Sequence, residues 1–491
     1  MRHSSFSELM ITIDWRSKEK LYQQVERQLK GAILRGYLLP GEHLPSIKGL
    51  ANNLGVSHVT VEKAYALLVA QGLVTSKPRS GFVVADVERV ASPNQDFELV
   101  TSAKRAMLTR HVGETGYAHN NIGLVKYDFS YTNLEPGSFP IETWLQIERE
   151  MLTKYGDIGM TSYESLSVVN RLQKQAAYLL RKTRDVHCAP EQIIPVAGWP
   201  AALRIILALF NSSAHSIAMP EPGLTNSFEI AKSEGYQVLP IALQNANSDS
   251  PAPDFIDQLN ALKPKLVLWT PSDEFPTGNV MRRGRRKSLV AWAEKIKSYL
   301  IEDDSGGLVQ YAVSPIPSMQ SFDSNGRVIY FTSLSDVLSP SLRIGFLVLP
   351  PELLRLYNYK INNPKNVPWN NAVTLATFME RGYFKQQLER INGSREMKRE
   401  RLISSLHEEM GEKAVIEGDR VRRYLNISVQ NGMSHDGLVE SARRHGVAVY
   451  GTRHFWFANP MIGDQIMLGY SSIRLDDIAP GVHALKEAWF G

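Results

Sequence analysis

The chain has 491 residues, 43% of them hydrophobic and 21% charged, ordinary proportions that supply at least one large core. At roughly 100–200 residues per domain, several domains are expected. A single cysteine, Cys188, excludes an intramolecular disulfide framework and any multi-cysteine zinc or iron–sulfur centre. No apolar run reaches the ~20 residues of a membrane span, and the opening MRHSSFSELMITIDW lacks the apolar stretch of a signal peptide. The expectation is a cytoplasmic protein with no membrane partner. Residues 1–90 hold 12 Lys/Arg against 8 Asp/Glu, so nearly all of the net +5 sits in the first fifth of the chain. That asymmetry points to a nucleic-acid-binding head on a near-neutral body.

In chain order, Leu21, Val25, Leu29 and Ile33 repeat every four residues and predict a helix from about Lys20 to Gly36. Ser46 is placed to cap a short helix through Leu54, with Gly55 as its stop. Ser57 caps a third helix, His58 to Gln71, whose inward face is Val61, Ala64, Tyr65 and Leu68. Two short alternating segments, Leu73–Thr75 and Gly81–Val84, flank Ser76-Lys77-Pro78-Arg79-Ser80 as a hairpin. Two helices joined by a tight turn and followed by a hairpin describe a winged helix-turn-helix. Its second helix enters the major groove by its N-terminal end. Ser57, His58, Thr60, Glu62 and Lys63 stand at that end, Ser46 and Lys48 open the preceding helix, and Lys77 and Arg79 form the wing tip. The run LPSIKGLANNLGVSHVTVEKAYALLVAQGLVTSKPRSGFVV resembles the DNA-binding domain of the GntR superfamily of bacterial regulators. The resemblance implies double-stranded operator DNA as partner, a DNA-binding domain over residues 12–86, and nucleoid association when bound. The family usually has arginine where Lys48 stands and often at His58.

Residues 87–125 are polar, with Ser92-Pro93-Asn94-Gln95-Asp96 and no sustained period; they read as a linker with a short helix at 98–110. From about 127, strands and helices alternate: IIPVAG then a helix 201–211, SIAMPEPG then a helix 225–234, and QVLPIAL, KLVLWTPS, SYLIEDD, RVIYFTSL and RIGFLVLP, with a helix at 286–298. Apolar runs of this kind suit strands buried on both faces, hence an α/β domain with a largely parallel sheet. The polar clusters 270–278, 302–307 and 332–343 follow strands, where such sheets build their sites. Residues 126–350 resemble the large domain, and 351–491 the small α+β domain, of fold-type I pyridoxal-phosphate transferases. With the head, the whole chain resembles the MocR-type regulators, a GntR head fused to an aminotransferase-like body.

That resemblance also shows where the pocket departs from its pattern. The motif T-x-S-K-x-x-x-P-x-x-R, whose lysine forms the Schiff base, reads Ser333-Leu334-Ser335-Asp336-Val337-Leu338-Ser339-Pro340-Ser341-Leu342-Arg343. Asp336 therefore takes the lysine position, and an aspartate makes no imine. Asp303 keeps the carboxylate expected beside the pyridine nitrogen, while Ser305 replaces an aromatic residue. The phosphate cup reads Gly198-Trp199-Pro200; Pro200 removes an N–H, and Trp199 brings no hydroxyl. Leu224 replaces the ring-stacking aromatic, and Gln465 the substrate-clamping arginine, without its charge or fork. Ser333, Ser335 and Arg343 retain part of the phosphate grip. Covalent cofactor and transaminase chemistry are thus not expected; pyridoxal phosphate, where it binds, is expected to be held noncovalently. Asp336 is expected either to pair with Arg343 or to face solvent; two uncompensated carboxylates, Asp303 and Asp336, would favour a cationic ligand. Three functions compete: a homodimeric regulator sensing an unidentified small effector, a ligand-free dimerisation platform, and an active aminotransferase.

Overall fold

A computed structural model of the chain describes residues 19–34, 41–77, 81–85, 125–161, 166–210, 215–243, 254–309, 316–361, 367–417, 423–458 and 465–491, with positions 11, 13, 14, 17 and 38. The linker (save residue 125), its expected helix at 98–110 and the wing tip 78–80 lie outside the described residues. The chain divides into two units, residues 1–109 and 110–491.

In the first unit, α1 (Leu21–Leu34), α2 (Ile47–Leu54) and α3 (His58–Ala70) precede a hairpin of β1 (Val74–Lys77) and β2 (Gly81–Val84). The capping residues act as their types dictate. Ser46 accepts from the Gly49 N–H and Ser57 from the Thr60 N–H, each filling a donor left open at a helix start. Gly55 closes α2 at φ 67°, the left-handed region that glycine enters without a Cβ penalty. Val25, Leu29, Leu50, Val61, Tyr65, Leu68 and Val84 bury a common core. Tyr65 ties the pieces together. Its hydroxyl donates to the Pro45 carbonyl at 3.0 Å, and its ring meets Phe82 of the wing edge-on at 4.8 Å.

In the second unit, seven strands form a sheet in the order β4 (Ile193–Val196), β10 (Gly345–Val348), β9 (Val328–Ser333), β8 (Tyr299–Asp303), β7 (Leu266–Trp269), β5 (Ser216–Glu221), β6 (Gln237–Ala242). Only β10 runs against its neighbours β4 and β9. Successive residues of β9 alternate between two apolar layers: Ile329 and Phe331 face the helices 199–209 and 225–233, while Tyr330 faces the helices 141–161 and 166–184. Burial on both faces explains the unbroken apolar runs. A second antiparallel sheet, β11 (Ala414–Glu417), β12 (Tyr424–Val429), β15 (Ile466–Gly469), β14 (Tyr450–Gly451), is backed by helices 383–410, 435–444 and 475–490.

Packing does not follow a cut at residue 351. Leu353, Tyr357 and Val373 to Phe378 pack on the large sheet's layers, and Phe129 enters the small sheet's core. The strand β3 (Tyr127–Asp128) pairs in parallel with β13 (Val447–Ala448). Gly469 lets this incoming segment approach: a Cβ there would strike the Ser130 carbonyl, and the Gly469 N–H donates to Phe129 at 2.8 Å. Among the described residues no helix is long and apolar enough to cross a membrane.

Candidate nucleic-acid interface and candidate ligand site

The head presents its candidate contacts on the outer side of α2 and α3. Lys48, His58 and Lys63 are exposed. Ser46 and Ser57 are spent on caps, and Thr60 Oγ1 lies 2.8 Å from Ser57 Oγ, so these two hydroxyls first satisfy each other. Lys77 ends β1; its side chain and Arg79 lie outside the described residues.

In the body, the polar clusters do meet at the carboxyl ends of parallel strands. Asp273 follows β7, Asp303 ends β8, and Ser333 ends β9 with Ser335 and Asp336 just beyond. The pairing expected for Asp336 is overturned. Asp336 Oδ2 lies 3.3 Å from Arg423 Nη1, with side chains only 15% and 20% exposed. Asp336 therefore neither pairs with Arg343 nor points to solvent. Arg343 ends a 3-10 turn at φ 52° and is exposed, whereas Arg423 enters from the small lobe just before β12. The same guanidinium donates to Asp273 Oδ2 at 2.7 Å, and Tyr424 donates its hydroxyl to Asp273 Oδ1 at 3.0 Å. Burial works against the Arg423 charge, but Asp336 and Asp273 outweigh it and hold the guanidinium above the ordinary arginine range. The premise for a cationic ligand, an uncompensated Asp336, falls with this pairing. Arg395 donates to the Asp336 carbonyl at 2.9 Å, and Gln387 to that of Val337 at 2.9 Å, so the 383–410 helix sets the turn.

Asp303 is 7% exposed. Its Oδ1 accepts from both the N–H and the hydroxyl of Ser305. Burial raises its pKa to about 6, against the pull of the Ser305 hydrogen bonds and Arg423. Trp199 opens its helix with its indole N–H on Ser227 Oγ at 2.8 Å and its ring 5.2 Å from Phe331. Ser335 and Ser333 hydrogen-bond each other at 3.0 Å. Leu224 packs against a cluster of Phe275, Tyr424, Phe455 and Met467, which Tyr131 and Tyr450 also join. Gln465 is not brought to this group. It stands just before the strand that carries Met467 and donates to Glu417 beside Ser428.

These residues do not fit a covalently held pyridoxal phosphate. Asp336 is a carboxylate already held by a guanidinium, and a carboxylate makes no imine. The helix start lacks the Pro200 N–H, and the serine hydroxyls engage one another. Lys360, near in sequence, instead contacts the Leu209 carbonyl at 3.0 Å.

Sequence reasoning missed Arg423 and Asp273, and a buried layer beneath them. Arg184 donates to Asp304 at 2.6 Å and to Ser272; Arg286 donates to the carbonyls of Met281, Pro271 and Pro317. These arginines anchor the 271–281 loop that carries Asp273. Burial, then the charge of Asp304, push Glu302 above the carboxylate range. The only signals were the acidic run Glu302-Asp303-Asp304 and the basic run before Tyr424, neither of which names a partner.

Arg423→Met leaves Asp273 and Asp336 without a counter-charge. It is expected to cost about 3–5 kcal/mol in urea unfolding, and the triple Arg423→Met, Asp273→Asn, Asp336→Asn to recover most of it. Asp303 has a folded pKa above its unfolded value, so it penalises the fold as pH rises from about 4 through about 6. The stability gain of Asp303→Asn over the natural chain should therefore grow across that window. It should level off above it at about 3 kcal/mol, as read by denaturation at stepped pH.

Comparison with known proteins agrees with both units. The family described as "Bacterial regulatory proteins, gntR family" matches residues 21–84. The chain is 31% identical over 473 residues to the uncharacterized HTH-type transcriptional regulator YdeL of Bacillus subtilis (strain 168), covering 96% of each. It is 26% identical over 484 residues to the probable rhizopine catabolism regulatory protein MocR of Rhizobium meliloti, covering 98% of this chain and 96% of that one. The body shares the fold of the multiple substrate aminotransferase from Thermococcus profundus, with a TM-score of 0.66 at 22% identity over 78% of this chain and 94% of that chain. A gntR helix-turn-helix, an aminotransferase fold behind it and end-to-end similarity to such regulators place this chain in the MocR-type branch of the gntR family, as a DNA-binding transcriptional regulator.

Proposed function

We propose that the body serves the head as a dimerising, ligand-sensing unit and performs no transamination. The observation that carries this reading is Asp336. It takes the motif's lysine position and is held by Arg423, which Asp273 also binds. An effector would act by changing the relation of two heads on operator DNA, with the protein cytoplasmic and at the nucleoid when bound. The ligand-free platform is the second reading, favoured by the aromatic filling around Tyr131, Phe275 and Phe455, whose rings lie 4.5–6.3 Å apart. Pyridoxal phosphate, if it binds, does so without a covalent bond.

Titration of the full chain with pyridoxal phosphate, followed by absorbance, equilibrium dialysis and borohydride reduction, separates these readings. No reducible imine is expected in the natural chain. Reversible uptake in dialysis supports a sensor that keeps the cofactor as ligand, and no uptake supports the platform or another effector. A borohydride-fixed adduct on a lysine of the natural chain would overturn the proposal. Lys48→Ala with Arg79→Ala should weaken binding to all DNA sequences alike and flatten the slope of log affinity against log salt by about 2 per head. A loss confined to one operator position would contradict their assignment to phosphates.

A further inference from the structure

The outer face of α3 is apolar where an ordinary surface helix is polar. Val61, Ala64, Tyr65 and Leu68 bury one side. On the opposite side Val59 is 55% exposed, and Ala66 and Ala70 are exposed with it. With 3.6 residues per turn, Val59, Lys63, Ala66 and Ala70 fall on one line, interrupted by a single cation. Small apolar side chains on that line let the helix approach a groove closely. Val59 is the second residue of the helix, at the end that a helix-turn-helix inserts deepest.

Glu62 adds a second signal. It is exposed on the same end of the helix, and no ion pair or hydrogen bond engages it among the described residues. A free carboxylate next to Lys63 is repelled by the phosphates that a lysine suits, unless a donor meets it inside the groove. On the major-groove edges the donors are the amino groups of cytosine and adenine, and a carboxylate pairs with that of cytosine. Thymine alone offers a methyl group there, and an apolar side chain is its partner. The neighbouring hydroxyls of Ser57 and Thr60 are occupied by each other and by the cap. Residues 59 and 62 are separated by about 4.5 Å along the helix axis, close to one base-pair step of about 3.4 Å.

We infer that Val59 and Glu62 are the sequence-reading pair of this regulator: Val59 packs on a thymine methyl, and Glu62 accepts from a cytosine amino group at a neighbouring base pair. The inference rests on the DNA-binding assignment and adds to it the chemistry of the half-site. The test is selection of the full chain against a randomised duplex library, then replacement of each thymine of the selected site by deoxyuridine. One thymine per half-site should lose about fourfold in affinity when its methyl is removed, and Val59→Ala should abolish that difference. Glu62→Gln should shift preference by about tenfold away from cytosine at the neighbouring pair. Both side chains are exposed, so unchanged unfolding midpoints will show that the variants are folded. Indifference of the natural chain to every deoxyuridine, or an unaltered base profile in Glu62→Gln, would overturn the inference while leaving DNA binding intact. If no sequence is enriched at all, the DNA-binding assignment falls and this inference with it.

Discussion

The guanidinium of Arg423, bracketed by Asp273 and Asp336, is the interaction on which the body's organisation turns. An arginine taken mostly out of water loses several kcal/mol of hydration, and a single exposed carboxylate does not return it. Two carboxylates at 2.7 and 3.3 Å do so only when both are held in place. The loop after β7 carries Asp273 and is fixed from below by Arg184 and Arg286 through Ser272 and the carbonyls of Pro271 and Met281. The turn after β9 carries Asp336 and is fixed by Arg395 and Gln387. Arg423 itself stands just before β12 of the small sheet. The bridge thus connects the two lobes of the body at the point where their polar loops meet.

This arrangement bears directly on what the body does. In an open, largely parallel sheet, sites form at the carboxyl ends of the strands, here those of β7, β8 and β9. Here those ends are committed to holding the protein together. Asp303 ends β8 buried, with Ser305 as its only side-chain hydrogen-bond partner among the described residues, and burial pushes its pKa up to about 6.

The head was the more legible part because its information is local. Caps at Ser46 and Ser57, the stop at Gly55 and the inward set Val61, Ala64, Tyr65 and Leu68 each follow from residue type and helical period. The strands of the large sheet were legible for a similar reason, since burial on both faces leaves an unbroken apolar run. Clustering of the polar loops at strand ends was also readable, as a property of parallel sheets. The partners within that cluster were not. Asp336 meets a residue 87 positions away in sequence rather than Arg343 seven positions on. Gln465 stands just before β15, whose register with β12 sets Met467 opposite Asn426, which reaches the large lobe through the Pro276 carbonyl.

The winged head and the largely parallel sheet were readable from the amino-acid order alone. These depend on periods of 3.6 and 2, on capping chemistry and on single residue identities, all of which act over a few positions. Which charge neutralises Asp336, which loop the buried arginines anchor, and how residues beyond position 351 divide between the two lobes emerged from the packed fold. Ion pairing and apolar burial are blind to distance along the chain. Their partners are chosen by which surfaces the packed sheets bring within a few ångströms, and that choice exists only once the chain has folded.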